Sequence, residues 1–296
     1  MAEFLGQKVR SGRLRELLAR PDPVLAPGAY DALSARLIEQ AGFDAVYMTG
    51  FGASASLLGR PDIGLLSFSE MVDNARRIAD VVDVPVIADA DNGYGNAINV
   101  VRTVRAYEAA GVAAIQIEDQ VLPKRCGHMT GKHVIGVDEM VSKVRAAVDA
   151  RRSKDCLIVA RTDARAVEGI DRAIERAHRY RDAGADVLFL EAPQSEDEVA
   201  KVGQTFGADI PLLFNWVEGG MSPALSRDRL KELGFKVIIF PVTALFAATR
   251  GVQASLSALL ANGAPPQIAE RPTVFQRFLD LIGLPEINEL AKRFGE

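Results

Sequence analysis

Short apolar runs alternate along the chain with longer segments whose apolar residues recur at helical spacing. Eight runs are almost continuously apolar, which is typical of parallel strands that are covered on both faces. They lie at residues 24–26, 45–48, 84–88, 113–117, 157–160, 187–190, 211–214 and 236–240. This regular alternation of strand and helix predicts an α/β fold, a closed (β/α)8 TIM barrel.

Amphipathic helical segments separate the runs, among them residues 31–40, 69–80, 99–110, 138–150, 169–183 and 227–233. Several of them pass to the next strand through an Ala-Gly or Leu-Gly pair that ends at Gly42, Gly111, Gly184 or Gly234. Glycine adopts the left-handed conformation that closes many helices, so a short turn is expected at each of these positions. A stretch of small residues before Arg60 is interpreted as a loop.

The C-terminal part predicts an extension beyond the barrel. Length alone would allow two domains, but α/β barrels often use this many residues as one, so residues 1–296 are expected to form a single barrel domain. A helical stretch at 243–262 leads to a linker-like break at 263–266. An amphipathic helical extension is expected over residues 267–296, with its helical pattern at 273–293, packed on its own barrel or on a neighbouring subunit.

Composition narrows the class of protein. A net charge of −4 and a pI near 5.6, with no lysine or arginine cluster, argue against a nucleic-acid partner and favour a small molecule. Two cysteines give no disulfide framework and no zinc-like spacing. The first twenty residues lack the apolar core of a signal peptide, and no apolar run is expected to be long enough to cross a membrane. A cytoplasmic protein is therefore expected.

Barrels of this kind carry the active site at the carboxyl ends of their strands. The third to seventh runs end in polar residues, namely Asp89 with Asp91, Glu118 with Asp119, Arg161 with Asp163, Glu191, and Asn215. Alternate strand residues face opposite ways, so Asp89 and Asp91 are expected to point together toward the barrel axis. Such carboxylates need a neutralising cation, and oxygen ligands without a histidine cluster favour magnesium or manganese.

Each of these positions also has an ordinary structural interpretation. An Asp-x-Asp pair often caps a helix or lies in a solvated turn, but its recurrence beside Glu118 favours the metal site. Arg161 fits a bidentate contact with a carboxylate better than a surface position. Trp216 is equally consistent with the core and with the wall of a pocket beside Asn215. His133 and His178 are expected to be solvated.

The segment at residues 124–128 is the clearest chemical signal in the chain. It reads Lys-Arg-Cys-Gly-His, which places the Cys126 thiol beside cations that favour its thiolate form. Arg125 and His128 are expected to tune the pKa of this thiol, and burial does not explain a cysteine in so polar a loop. Cys156, at the start of a predicted strand, is instead interpreted as a small buried hydrophobe. The segment therefore predicts proton transfer or nucleophilic chemistry.

Several segments together resemble the isocitrate lyase/phosphoenolpyruvate mutase superfamily over nearly the whole chain. They are residues 27–34, 59–62, 89–95, 117–120, 124–128, 160–163 and 218–220. The Lys-Arg-Cys-Gly-His loop is the signature of the lyase branch, since the mutases and phosphonopyruvate hydrolases lack its cysteine. Within that branch the context is most similar to 2-methylisocitrate lyase, 2,3-dimethylmalate lyase and petal death protein.

The resemblance implies a magnesium-dependent lyase that cleaves a 2-hydroxy di- or tricarboxylate into an α-keto acid and a second carboxylate. Asp89 would be the principal direct metal ligand, and Asp62, Asp91 and Glu118 would act directly or through water. Cys126 would be the proton donor, in a loop that closes over substrate. The other implied catalytic residues are Arg161, Tyr47 and His128, and the implied substrate contacts are Thr49, Gly50, Lys124, Arg125, Gly127, Glu191 and Asn215.

Some questions stay open at this point. Thr-Gly-Phe at residues 49–51 replaces the Ser-Gly-Gly common in methylisocitrate lyases, and Phe51, Trp216, Phe240 and Leu245 are expected to narrow the pocket in favour of alkylmalates. Oxaloacetate hydrolysis or decarboxylation on the same scaffold is the alternative activity, and binding without turnover is a third possibility. The resemblance also implies a homo-oligomer, a dimer of dimers that exchange their eighth helix.

Overall fold

Eight parallel strands close into a barrel in which each strand is hydrogen-bonded to the next and β8 returns to β1. The structure is a computed structural model that describes residues 12–264 and 271–295. The strands are β1 (Val24–Ala29), β2 (Val46–Met48), β3 (Val86–Asp89), β4 (Ala114–Glu118), β5 (Leu157–Thr162), β6 (Val187–Leu190), β7 (Leu212–Asn215) and β8 (Phe235–Phe240). The predicted (β/α)8 architecture and all eight strands are confirmed.

Helices surround the sheet and extend beyond it. They are α1 (Arg13–Leu18), α2 (Ala32–Gln40), α3 (Gly50–Leu58), α4 (Phe68–Val81), α5 (Ala97–Ala109), α6 (Val137–Ala150), α7 (Arg165–Glu168), α8 (Ile170–Asp182), α9 (Glu196–Phe206), α10 (Arg227–Glu232), α11 (Thr243–Asn262), α12 (Arg271–Leu281) and α13 (Leu284–Phe294). The four glycines expected to close helices all have positive φ angles, of 91° at Gly42, 90° at Gly111, 103° at Gly184 and 87° at Gly234.

The prediction of a loop after the second strand is wrong, because this stretch forms α3. The Thr49 hydroxyl caps the helix by accepting a hydrogen bond from the backbone N–H of Gly52 at 3.2 Å. Small residues were interpreted as a loop signal, but here they allow the helix to lie close to the sheet. A side chain on Gly52, for example, would come within 2.9 Å of Tyr30.

The interior of the barrel is apolar at its amino-terminal end. Leu14 and Leu17 of α1 are buried in one cluster with residues of the strands, such as Val24, Leu157 and Val237. A second cluster fills the layer between the sheet and its helices. Because α1 covers the amino-terminal end with hydrocarbon, polar chemistry is confined to the carboxyl end of the barrel.

The C-terminal extension differs from the single helical segment expected over 273–293. It forms two helices, α12 and α13, separated at Gly283, where φ is 89°. The Arg36 guanidinium on α2 donates to the Leu281 carbonyl at 2.9 Å, which ties the extension to the barrel. Part of the predicted linker and of the 267–296 segment, residues 265–270 and 296, lies outside the described residues.

Helix α11 carries no buried residue within this chain. By length and composition alone, α11 is the one helix among the described residues that could cross a membrane, and none of its most apolar stretch is buried. No apolar run long enough to cross a membrane was expected from the sequence.

Candidate active site

A cavity of about 160 Å³ opens at the carboxyl ends of the strands, between α3, residues 124–129 and the start of α11. Ten of the predicted site residues line it, namely Tyr47, Thr49, Asp62, Asp89, Lys124, Cys126, Gly127, His128, Arg161 and Asn215. The predicted residues that do not line it are Gly50, Asp91, Glu118, Arg125 and Glu191. Its apolar wall consists of Phe51, Met129, Val217, Pro241, Val242 and Phe246.

The Lys124 ammonium lies between two carboxylates, 2.6 Å from Asp62 Oδ1 and 2.7 Å from Asp91 Oδ1. Burial acts to lower the pKa of Lys124, but these carboxylates raise it well above its usual range, so the side chain stays charged. Within residues 12–264 and 271–295, no three His, Cys, Asp or Glu side chains converge in a geometry ready to hold a metal ion. Lys124, predicted to contact substrate, is therefore bound to two of the predicted metal ligands.

Asp89 is held in place by three donors. Its Oδ1 accepts from the Asp91 backbone N–H at 3.0 Å and from Gln116 Nε2 at 3.3 Å, and its Oδ2 accepts from the Gly50 N–H at 3.3 Å. A side chain on Gly50 would lie 2.6 Å from Asp89 Oδ2, so only glycine lets α3 approach this carboxylate. Asp91 reaches its position with a positive φ angle of 47°.

The acidic cluster, Asp62, Asp89, Asp91 and Glu118, is short of positive charge. Burial raises the pKa of Asp91 to about 6 and that of Glu118 well above its usual range. Glu118 Oε1 is buried and accepts no hydrogen bond, while Oε2 lies 3.3 Å from Arg161. Carboxylates with an unused oxygen and too little neutralising charge fit a small divalent cation that prefers oxygen ligands.

Arg161 lies between the acidic cluster and the far side of the cavity. Its Nε is 2.9 Å from Asp163 Oδ2 and its Nη2 is 3.1 Å from Asp163 Oδ1. The predicted bidentate contact is thus present, but with a carboxylate of the protein itself. The Asp163 N–H in turn donates to Asp119 Oδ1 at 2.9 Å, so β4 and β5 hold this arginine rigidly.

His128 lies on the far side of the cavity. Its Nδ1 accepts from the Met221 N–H at 2.9 Å, so the ring carries a proton on Nε2, which lies 3.0 Å from Glu191 Oε1. Asn215 Nδ2 donates to the same carboxylate oxygen at 3.2 Å. Burial acts to raise the pKa of Glu191, but Arg161 and His128 lower it to about 2. Glu191, predicted to contact substrate, is fully buried and instead orients the residues that line the cavity.

The expectation of a Cys126 thiolate is wrong. Burial raises the pKa of the thiol to about 11, which outweighs the neighbouring cations. The Cys126 N–H donates to the Asp62 carbonyl at 3.1 Å, which holds the residue at the cavity. Arg125, expected to tune this thiol, is exposed and donates to the Thr130 carbonyl at 3.3 Å. Burial therefore favours the protonated thiol over the thiolate.

Gly127 has no room for a side chain. An added Cβ would lie 2.4 Å from Glu191 Oε1 and 2.5 Å from Arg161 Nη2. The backbone between Cys126 and His128 is therefore pressed against the ion pairs on β5 and β6.

Asp119 and Lys132 support the site although neither was predicted as a site residue, and three residues expected to narrow the pocket do not line it. Asp119 accepts from the Thr162 hydroxyl at 2.7 Å, and Lys132 lies 2.9 Å from Asp163. Asp119 was visible as a strand-end residue, whereas Lys132 gave no signal in its polar loop. Trp216 donates to the Leu225 carbonyl and packs against the core, and, like Phe240 and Leu245, it does not line the cavity. His133 is exposed as expected, but His178 is half-buried against Phe206.

Known proteins share both the sequence and the fold. The family described as phosphoenolpyruvate phosphomutase matches residues 14–260. The chain is 48% identical to a 2,3-dimethylmalate lyase of Eubacterium barkeri, over 96% of this chain and 98% of that protein. It is 47% identical to a 2-methylisocitrate lyase of Aeropyrum pernix, over 96% of this chain and 89% of that protein.

A solved structure of oxaloacetate acetylhydrolase, in complex with the inhibitor 3,3-difluorooxalacetate, also matches the fold. It superposes with a TM-score of 0.92 at 39% identity, over 97% of both chains. Together with the barrel and the Cys126 loop, these likenesses assign the family. The chain belongs to the phosphoenolpyruvate mutase/isocitrate lyase superfamily, where it groups with the carbon–carbon lyases.

Proposed function

We propose that the protein cleaves the C2–C3 bond of a 2-hydroxy dicarboxylate, releasing an α-keto acid and a second carboxylate. The observation that carries this proposal is the Cys126 thiol, which burial keeps protonated at the same small cavity as Asp89 and Arg161. Cleavage leaves negative charge on C3 of the second fragment, and that carbon needs a proton. The relatives named 2,3-dimethylmalate lyase and 2-methylisocitrate lyase support the same reaction type.

The acidic cluster is the proposed site of a magnesium ion, with manganese as an alternative. Asp89 would be its principal ligand, and Asp62, Asp91 and Glu118 would hold it directly or through water. When bound, the ion supplies a Lewis acid that lowers the pKa of a hydroxyl group and stabilises negative charge on oxygen. The shortage of positive charge around Asp91 and Glu118 supports this assignment.

Residues on the keto-acid side of the cavity bind and orient the substrate. Arg161 is the proposed donor to the oxygen on C2. Its position at the cavity and the contact of its guanidinium with Asp163 support this role. Thr49 and Gly50, at the amino end of α3, are the proposed contacts of the keto-acid carboxylate. Tyr47 is buried, which raises the pKa of its phenol well above the usual range, so it lines this side as a neutral hydroxyl.

Residues on the other side complete the proton transfer. Cys126 gives its thiol proton to C3 of the second fragment, while His128 and Asn215 stabilise the charge on that fragment's carboxylate. Glu191 stays ionised and fixes both of those side chains. Closure of residues 124–129 over the cavity excludes water, which would otherwise compete for the reactive intermediate.

The cavity favours a 2-alkylmalate over a tricarboxylate. Its volume of about 160 Å³ is well below the roughly 300–1,000 Å³ of pockets for drug-sized ligands. Phe51, Val217 and Phe246 provide an apolar wall for an alkyl group on C3. The lining cations, Lys124 and Arg161, are already paired with protein carboxylates, so a third substrate carboxylate would have no free cation.

Oxaloacetate hydrolysis or decarboxylation is the second candidate, favoured by the TM-score of 0.92 with oxaloacetate acetylhydrolase. Both candidates are tested by incubating the protein and magnesium with 2,3-dimethylmalate, 2-methylisocitrate, isocitrate and oxaloacetate, and identifying the products by chromatography. The first proposal expects a keto acid from 2,3-dimethylmalate. Oxalate with acetate, or pyruvate with carbon dioxide, from oxaloacetate alone would identify the second candidate instead. No turnover of any substrate would contradict both.

We also propose a cytoplasmic homo-oligomer, a dimer of helix-swapped dimers in which a second copy of this chain covers α11. Leu256 and Leu260 on α11 are 59% and 89% exposed, and Phe275 on α12 is 68% exposed. Apolar side chains so exposed mark an interaction surface. Sedimentation analysis is expected to give a tetramer. A monomer in solution, or partition of the protein into a detergent phase, would contradict this assembly.

A further inference from the structure

Lys132 is buried although it lies in a polar loop. Its side chain is 2% exposed, and its ammonium lies 2.9 Å from Asp163 Oδ1. The same ammonium donates a hydrogen bond to the carbonyl oxygen of Gly127, on the segment that carries Cys126. Burying a lysine is costly unless its charge is paired, so both contacts must form together in the closed loop.

Asp163 connects this lysine to the catalytic centre. It binds Arg161 in a bidentate manner, and its Oδ1 also accepts from Lys132. The two cations lower the pKa of Asp163 although burial opposes them. Its backbone N–H donates to Asp119, directly after β4. Lys132 therefore connects Gly127 of the loop to the rigid strand ends.

The contact with Gly127 limits where its two neighbours can lie. A Cβ on Gly127 would meet Glu191 and Arg161, and Lys132 holds the Gly127 carbonyl. Cys126 and His128 flank this residue, so a change in its peptide would displace both side chains from the cavity.

We infer that Lys132 is a positioning residue that holds the Cys126 loop closed against the ends of β5 and β6. It touches neither the cavity nor a reacting atom; it acts through the Gly127 carbonyl and Asp163. This inference rests on the proposed role of Cys126 as the proton donor. Its test uses the accessibility of the thiol, so it can be decided even where no substrate is turned over.

The experiment uses mass spectrometry to measure the rate at which iodoacetamide alkylates Cys126 in the folded protein. In Lys132→Met the rate is expected to rise at least about tenfold, because losing one partner of a buried pair shifts the loop toward open states. Cys156, buried away from the loop, serves as the internal reference and should not change. Lys132→Arg should stay within about threefold of the unsubstituted protein, because it keeps the charge.

Lys143→Met is the matched control, because Lys143 is also buried and donates to a backbone carbonyl, that of Asn92. It should leave Cys126 alkylation unchanged. Equal alkylation of Cys126 in folded Lys132→Met and in the unsubstituted protein would overturn the inference, as would an equal rise in Lys143→Met or a parallel rise at Cys156. If Lys132→Met does not fold, the same measurement is made on Lys132→Gln. A rise in Cys126 alkylation is expected there, and an unchanged rate would overturn the inference. Where a substrate is turned over, kcat is expected to fall more than KM rises.

Discussion

Buried carboxylates lie on both sides of the cavity, but their pKa values are shifted in opposite directions. On the acidic side, burial raises the pKa of Asp91 to about 6 and that of Glu118 well above its usual range. On the loop side, Glu191 is just as buried, yet its pKa is lowered to about 2 by Arg161 and His128. The difference is the supply of positive charge and hydrogen-bond donors, not the depth of burial.

This contrast indicates how the chemistry is divided. The loop side is complete as the chain folds, because every ionised group there has a partner from the protein. The acidic side has one ammonium, that of Lys124, between carboxylates that would repel one another if all were ionised. The proposed magnesium ion would supply the further positive charge. Arg161 contacts both sides through Glu118 and Asp163 and fixes the distance between them.

The largest effect is expected from replacing Cys126, the proposed acid on the loop side of the cavity. Cys126→Ser replaces a thiol with a hydroxyl that is a far weaker proton donor, so kcat should fall by about 10²–10⁴. Because the change is nearly isosteric, the thermal unfolding temperature and magnesium binding should match those of the unsubstituted protein. Steady-state kinetics with the substrate found in the panel checks this; a kcat within about threefold would remove Cys126 from the mechanism.

The second prediction concerns how strongly Arg161 and His128 stabilise the negative charge of Glu191. Its pKa is lowered from 4.5 to about 2 on folding, so it stabilises the fold above pH 4.5, and that stabilisation is lost as pH falls toward 2. The loss should be on the order of 3 kcal/mol. Denaturant unfolding between pH 5 and about 2 should show it in the unsubstituted protein and not in Glu191→Gln. The same pH slope in both proteins would contradict the assignment.

Gly127→Ala should break the contact between the loop and the ion pairs. The new methyl group would meet Glu191 Oε1 at 2.4 Å, so the loop must move, at an expected cost of about 1–3 kcal/mol in stability. Gly136→Ala is the control, because a Cβ there meets nothing within 4 Å. Thermal unfolding of both variants is the measurement, and equal stability would mean that residues 124–129 do not pack as described.

The smallest effect concerns substrate choice. Phe246→Ala removes part of the apolar wall, so discrimination in favour of 2,3-dimethylmalate over a bulkier alkylmalate should fall by about tenfold. Phe294→Ala, exposed at the end of α13, offers a control at the same residue type. The ratio of kcat/KM values for the two substrates measures the effect. An unchanged ratio would place the alkyl group elsewhere in the cavity.

The sequence was informative wherever short-range pattern decides structure. Apolar runs located all eight strands, and the residues that end them include Asp89, Glu118 and Arg161, which the barrel brings together. Tertiary environment decided the rest. The Cys126 thiol depends on burial that no local pattern reports, so its neighbouring cations were misleading. Lys132 gave no signal in the sequence because its partner, Asp163, is 31 positions away.

Helix α3 shows a different limit. Its small residues resemble a loop in sequence, yet the Thr49 cap and the close approach at Gly50 require a helix beside Asp89. The extension was also misjudged in detail, since Gly283 divides what appeared to be one amphipathic segment. In both cases glycine was ambiguous, because it permits helix ends and close packing as readily as loops.

The most direct test of the contrast between the two sides is calorimetric titration of the metal-free protein with magnesium. We predict one saturable site per chain that is lost in Asp89→Asn and retained in Glu191→Gln, because the carboxylates of the acidic side outnumber the cations, Lys124 and Arg161, that pair with them. Absence of binding in the unsubstituted protein, or loss of binding in Glu191→Gln while Asp89→Asn still binds, would contradict the account.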